Sequence, residues 1–230
     1  MLTIGVLGGM SWESTLHYYR LLNEGVRERA GGLSSAKILL WSVDFAPVAA
    51  MQAEGRWEDA GALLGDAGAA LERAGADFLV LATNTMHRVA GAIEARTKIP
   101  LLHIADPTGE AVRARGLRRV GLLGTRFTME QAFYKERLSR VHGLEVSVPP
   151  EEDRTAVHRI IYEELCKGEV REASRDAYRR IAASLIQGGA EAIIFGCTEI
   201  MMLLQPEDAS VPVFDTTALH AEAAVERALR

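Results

Sequence analysis

Only two cysteines, seven prolines and 6% aromatic residues occur in this chain of 230 residues. Two thiols, Cys166 and Cys197, are too few for a disulfide framework or a four-thiolate zinc site, and reduced thiols fit a cytoplasmic protein. No segment approaches the ~20 apolar residues that a membrane-spanning helix needs, so no membrane partner is expected. Met1-Leu2-Thr3-Ile4-Gly5 runs straight into a strand pattern, with no basic stretch, apolar region and cleavage site of a secretory signal. Positive charge is neither dominant nor clustered: 26 Lys and Arg stand against 31 Asp and Glu, for a net charge of -5. That balance argues against nucleic acid as a partner. What is present is ordinary for a globular protein, with 48% hydrophobic and 25% charged residues and a mean hydropathy of +0.03. Disorder, collagen-like repetition and coiled coil are disfavoured, and the length allows one large domain or two small ones.

Short apolar runs alternate with helical periods. Candidate strands are Thr3–Leu7, Lys37–Val43, Phe78–Ala82, Leu101–Ile104, Arg119–Leu123, Leu144–Val148, Ala192–Phe195 and Pro212–Phe214. Several are uninterrupted apolar runs, as expected of parallel strands covered on both faces. After Trp57, apolar residues recur at helical spacing (Ala60, Leu63, Leu64, Ala67, Leu71, Ala74), and Val157, Ile160, Ile161 and Leu165 do so again. Strand–helix alternation of this kind predicts an α/β fold with mainly parallel sheets.

The chain also repeats itself. Ile4-Gly5-Val6-Leu7-Gly8 matches Val120-Gly121-Leu122-Leu123-Gly124, Ala74–Thr85 matches Gly188–Glu199, and Ile99-Pro100-Leu101 matches Val211-Pro212-Val213. Three matches in the same order predict duplication. Two pseudo-symmetric α/β lobes are expected, residues 1–105 with a returning tail of about 215–230, and residues 106–214. Ligands of open α/β sheets bind beyond the carboxyl ends of the strands, so an interdomain cleft lined by both sets of strand ends is the expected active site.

Cys197 is the sharpest chemical candidate, because it follows the apolar run Ala192–Phe195 where a strand gives way to a loop or helix. A cysteine at a helix N-terminus has its pKa lowered from about 8.5 by backbone N–H groups, although most isolated cysteines are simply small buried hydrophobes. The repeat sets Thr83 at the matching position, followed by Asn84 and Thr85. Asn84, Thr85 and Thr198 suit helix capping and equally suit holding a carboxylate. A proton-carrying group on each side of one carbon is what a racemase needs. Gly8-Gly9-Met10-Ser11 departs from the dinucleotide fingerprint, and no phosphate-loop lysine follows it. It reads instead as a turn into a helix capped by Ser11, with Thr125 as its counterpart after Gly124. His87 is a base, an orienting residue or a packing residue, His103 and His220 lack metal-ligand spacing, and Cys166 sits late in a helix as a structural residue. Lys167 is a solvated helix-end cation or a partner for a substrate carboxylate.

Ile4–Thr15, Thr83-Asn84-Thr85-Met86-His87, Gly196-Cys197-Thr198-Glu199-Ile200 and Val211–Thr216 together give a chain that resembles the aspartate/glutamate racemase family. Most members carry Cys-Asn-Thr in the first half, and Thr83-Asn84-Thr85 resembles the subgroup specific for the L-enantiomers, in which threonine replaces the first cysteine. The resemblance implies a cofactor-independent isomerase, without metal or pyridoxal phosphate, and a homodimer acting on a small-molecule amino acid. It implies that Cys197 takes the α-proton of L-aspartate or L-glutamate and that Thr83 reprotonates the opposite face, with D-enantiomers reacting poorly. It further implies a site lined by Met10, Ser11, Gln52, Asn84, Thr85, Thr198 and Glu199. Met10–Ser11, Asn84–Thr85 and Thr198 would serve the α-carboxylate and ammonium, and Gln52 and Lys167 the distal carboxylate. Related readings are a one-cysteine decarboxylase, a hydantoin racemase or maleate isomerase, and a two-lobed protein that binds an amino acid without turning it over.

Overall fold

The computed structural model describes all 230 residues. The chain forms two compact units, Met1–Ile104 with His220–Arg230, and Ala105–Leu219.

In the first unit, β1 (Ile4–Gly8) leads into α1 (Trp12–Ala30), then β2 (Ile38–Ser42), α2 (Phe45–Glu54), α3 (Trp57–Arg73) and β3 (Phe78–Leu81). A 3₁₀ turn at Thr85–Val89, α4 (Ala90–Glu94) and β4 (Leu101–Leu102) follow. The sheet has the order β2-β1-β3-β4 with every pairing parallel. Side chains alternate across it, as pleating demands. Leu7, Leu79 and Leu81 face a core with Leu64, Ala67 and Leu71 of α3. Ile4, Val6, Phe78 and Val80 face the opposite core, with Tyr18 and Leu22 of α1 and with Ala221, Ala224 and Val225 near the C-terminus.

The second unit repeats the scheme. It contains α5 (Ala105–Ala114), β5 (Arg119–Gly124), α6 (Arg126–Glu130), α7 (Ala132–His142), β6 (Glu145–Ser147), α8 (Glu151–Glu163), α9 (Glu172–Gln187), β7 (Ala192–Gly196), α10 (Ile200–Leu203) and β8 (Val213–Asp215). Its order, β6-β5-β7-β8, is again all parallel. Leu123, Ile193 and Phe195 pack with Ile160 and Ile161 of α8 and Tyr178 and Ile181 of α9. Every strand read from the sequence is present, within a residue or two of its expected ends. The central strands β1, β3, β5 and β7 are buried on both faces, so their apolar runs carried a clear signal, whereas β2 and β6 are largely exposed.

The helix-to-strand turn is copied in detail. Gly75 and Gly189 both take φ of 100°, a conformation that costs a residue with a Cβ but not glycine. Two residues later an acid closes each turn. Asp77 Oδ2 accepts the Thr3 N–H at 2.6 Å, and Glu191 Oε2 accepts those of Arg118 and Arg119 at 3.0 Å.

Two details depart from the sequence reading. The last helix, α11 (Thr216–Leu229), returns to the first unit from His220 rather than from about residue 215. Its opening is tied to the second sheet, because Thr216 Oγ1 donates to the Phe195 carbonyl at 2.9 Å and the Thr217 N–H to Asp215 Oδ1 at 2.8 Å. Cys166 does not lie in the preceding α-helix. α8 ends at Glu163, and Leu165–Lys167 is a 3₁₀ turn closed by Gly168 in the left-handed region.

Candidate active site

In each sheet the chain leaves one central strand toward one edge and returns on the other side, between β1 and β3 and between β5 and β7. The carboxyl ends of such a strand pair form the usual ligand crevice of an open α/β sheet. In the first unit these ends carry Gly8–Ser11 and Thr83–Thr85; in the second they carry Gly124–Thr125 and Gly196–Glu199.

Backbone space shapes the first cluster. Gly9 has φ of 93°, and a Cβ there would run into the Val43 backbone. The Gly9 N–H donates to Thr15 Oγ1 at 2.8 Å, and the Thr15 hydroxyl donates to the Ser11 carbonyl at 2.8 Å. Ser11 caps α1 by accepting the Ser14 N–H, an arrangement worth about 1 kcal/mol. Thr125 caps α6 in the same way through the Thr128 N–H. Asn84 makes no such cap on the 3₁₀ turn that follows it. Thr83, Asn84 and Thr85 are all buried, although polar. Met10, next to Ser11 in the chain, is buried too, and Gln52 of α2 is buried with its amide nitrogen 2.9 Å from the Met86 sulfur, just beyond Thr85.

In the second unit Gly124 and Gly196 pair directly across β5 and β7. A Cβ on Gly124 would lie 2.7 Å from the Gly196 carbonyl oxygen, so only glycine lets these ends approach. Cys197 follows, 7% exposed. Its Sγ–H donates to Glu199 Oε2 at 2.9 Å, and the Thr198 hydroxyl donates to the same oxygen at 2.6 Å.

This geometry reverses the expected ionisation of Cys197. Burial pushes its thiol well above the ordinary range, and the Glu199 carboxylate pushes it further. The helix expected to favour thiolate, α10, has only four residues. Its dipole cannot outweigh a carboxylate at hydrogen-bond distance. Cys197 is therefore held as a thiol whose Sγ–H points at the Glu199 side chain.

Tyr162 and Tyr178, absent from the sequence reading, complete this environment. Burial raises both phenols, and the next cause is the charge that Cys197 would carry. Tyr162 falls within the helical period read over Val157–Leu165 but off its apolar spacing, and no period is read around Tyr178, so nothing in the sequence marked either one. Cys166 is half-buried against the same core as Cys197. Lys167 is exposed, in the turn beside Cys166. No cluster of three or more His, Cys, Asp or Glu side chains is placed to hold a metal ion.

A model of the Asp/Glu/Hydantoin racemase family matches residues 7–224. The chain belongs to this family. As a family member it is an isomerase, and its relatives extend over the whole fold. A crystal structure from Yersinia pestis, to which Asp/Glu racemase activity is ascribed, is 55% identical with a TM-score of 0.94, covering 100% of both chains. An aspartate racemase homologue from Pyrococcus horikoshii OT3 is 35% identical with a TM-score of 0.86, again over 100% of both chains. The broad specificity amino-acid racemase RacX of Bacillus subtilis (strain 168) is 28% identical over 160 residues, 70% of this chain and 68% of RacX. No helix of this racemase-family protein is long and apolar enough to cross a membrane.

Proposed function

We propose that this protein is a cofactor-independent racemase of L-aspartate, L-glutamate or both, working as a homodimer. One observation supports the reading above the others. At matching ends of duplicated strands, one unit presents a thiol hydrogen-bonded to a carboxylate, Cys197 to Glu199, and the other presents the hydroxyl of Thr83.

The first step passes the Cys197 thiol proton to the Glu199 carboxylate, leaving a thiolate. The thiolate takes the α-proton of the L-amino acid, and the electron pair of the C–H bond becomes a carbanion conjugated with the α-carboxylate. The Thr83 hydroxyl gives a proton to the opposite face and regains one from water, and Glu199 gives up its proton to the hydroxide left behind, so every group returns to its starting state. A threonine hydroxyl is far too weak an acid to ionise near neutral pH, so it serves as proton donor more readily than as base. The reverse direction, starting from the D-enantiomer, is therefore slower at equal saturation, while the equilibrium constant stays unchanged.

Ser11, Asn84, Thr85 and Thr198 supply hydrogen-bonding groups for the α-carboxylate and ammonium, with Met10 closing one side and Thr125 in Ser11's corresponding place. Gln52 and Lys167 serve the distal carboxylate. A neutral amide at Gln52 tolerates more than one side-chain length, which favours use of both substrates. The test is α-proton exchange in deuterated buffer with both enantiomers of aspartate and glutamate, and with an arylmalonate for decarboxylation. Exchange from an L-substrate that disappears in Cys197→Ser is expected. No exchange from any amino acid overturns the reading.

A further inference from the structure

His87 lies in the 3₁₀ turn after β3, and its ring is tied at both nitrogens. Nε2 accepts the Ile104 N–H at 3.1 Å. A backbone N–H can only donate, so Nε2 must carry a lone pair and the proton must sit on Nδ1. Nδ1 lies 2.7 Å from the carbonyl oxygen of Thr83, which can only accept. Both contacts are satisfied at once by a single form of the ring, the neutral tautomer protonated at Nδ1. A second proton would displace the Ile104 contact, and the other tautomer would break both.

The ring thus joins the exit of β3, at Thr83, to the segment just after β4. Thr83 is held from its other side too, its N–H donating to the Leu81 carbonyl at 2.8 Å. His103 and His220 buttress the ring, with centroids 4.5 and 5.9 Å away. His220 is itself fixed, its Nε2–H donating to the Leu102 carbonyl and its Nδ1 accepting the Tyr18 hydroxyl, both at 2.9 Å. All of these rings are buried.

We infer that His87 is a positioning residue for Thr83. Its neutral ring clamps the Thr83 carbonyl and so sets the backbone from which the Thr83 hydroxyl projects. The inference rests on the proposed role of Thr83. It assigns His87 no proton transfer to substrate, because both ring nitrogens are committed to backbone groups.

The test follows L-substrate in deuterated buffer and separates two products: deuterated L-enantiomer, made when the proton on Cys197 exchanges with solvent and a deuteron returns to the face it left, and deuterated D-enantiomer, which needs Thr83. Thr83→Ala supplies the reference, with retention only. In His87→Leu, inversion should fall about a hundredfold, the scale of an ångström-sized misplacement, while exchange with retention continues. His87→Asn sets an amide N–H near the Nδ1 position and should restore inversion; His87→Gln, reaching toward the Nε2 position, should not. Inversion at the wild-type rate in His87→Leu overturns the inference, as does a parallel fall of retention and inversion in both the Leu and Asn variants. Should His87→Leu fail to fold, equal inversion rates in the Asn and Gln variants overturn it. Wild-type protein that incorporates no deuterium overturns the racemase reading itself, a result distinct from any of these.

Discussion

Cys197 Sγ and Glu199 Oε2 lie 2.9 Å apart, two residues apart in sequence, with the Thr198 hydroxyl on the same carboxylate oxygen. The carboxylate does two opposed things. It raises the thiol's pKa by charge, and it offers the thiol proton somewhere to go. Glu199→Gln separates them. The variant should ionise Cys197 at lower pH, seen as a downshifted pH profile for alkylation by iodoacetamide. Its turnover should nevertheless fall by about 10²- to 10³-fold, because the proton acceptor is gone. An unshifted alkylation profile would show that burial alone sets the thiol's ionisation.

Thr83 gives the sharpest test of directionality. Thr83→Cys places an ionisable group where the hydroxyl stands and should raise α-proton exchange from D-aspartate or D-glutamate by about tenfold or more. The L-enantiomer should gain less, since its proton leaves toward Cys197. A D-exchange rate unchanged from wild type would refute the asymmetric pair.

The acid at the second helix-to-strand turn predicts a pH dependence of stability. Backbone N–H groups of Arg119 and Arg118 hold the Glu191 carboxyl down to about 2, below its ordinary 4.5. A carboxyl with a depressed folded-state pKa stabilises the fold above the unfolded value, and that contribution is lost as pH falls through the folded value. Glu191→Gln should therefore melt lower than wild type at pH 7. The gap should close as pH drops from 4.5 toward 2. A gap that persists at pH 2 would trace the effect to packing instead.

Gly9 tests the turn before α1. Its positive φ and the Val43 backbone leave no room for a methyl group, and backbone cannot swing aside as a flexible side chain can. Gly9→Ala should cost about 2–3 kcal/mol in denaturant unfolding, whereas Gly91→Ala, in open space, should be near neutral. Equal costs would place the effect of Gly9 outside this turn.

The central strands were legible because both of their faces are covered, which leaves an unbroken apolar pattern. Duplication was legible from three blocks in order, and it brought Thr83 into register with Cys197. The ionisation of Cys197 was not legible. The sequence showed a strand end and a following helix, but not the length of that helix, nor that the Glu199 side chain turns back onto the thiol. Tyr162 and Tyr178 did not stand out at all, because nothing local marks which strand end a helical tyrosine packs against. His87 stood out beside Thr83, yet its tautomer depends on Ile104, seventeen positions along the chain. Local pattern does not report contacts of that kind.

The division of the last helix at Leu219 and His220 bears on how the protein folds. Residues Ala105–Leu219 are one uninterrupted stretch, so that unit carries its whole core within itself. The other unit does not. Ala221, Ala224, Val225 and Ala228 cover Ile4, Val6 and Tyr18, and the Leu2 N–H reaches the Ala228 carbonyl at 2.8 Å. β1 therefore gains one of its two cores only when α11 is in place. A chain cut before His220 would hold Thr83 and His87 in a unit with one core open to water.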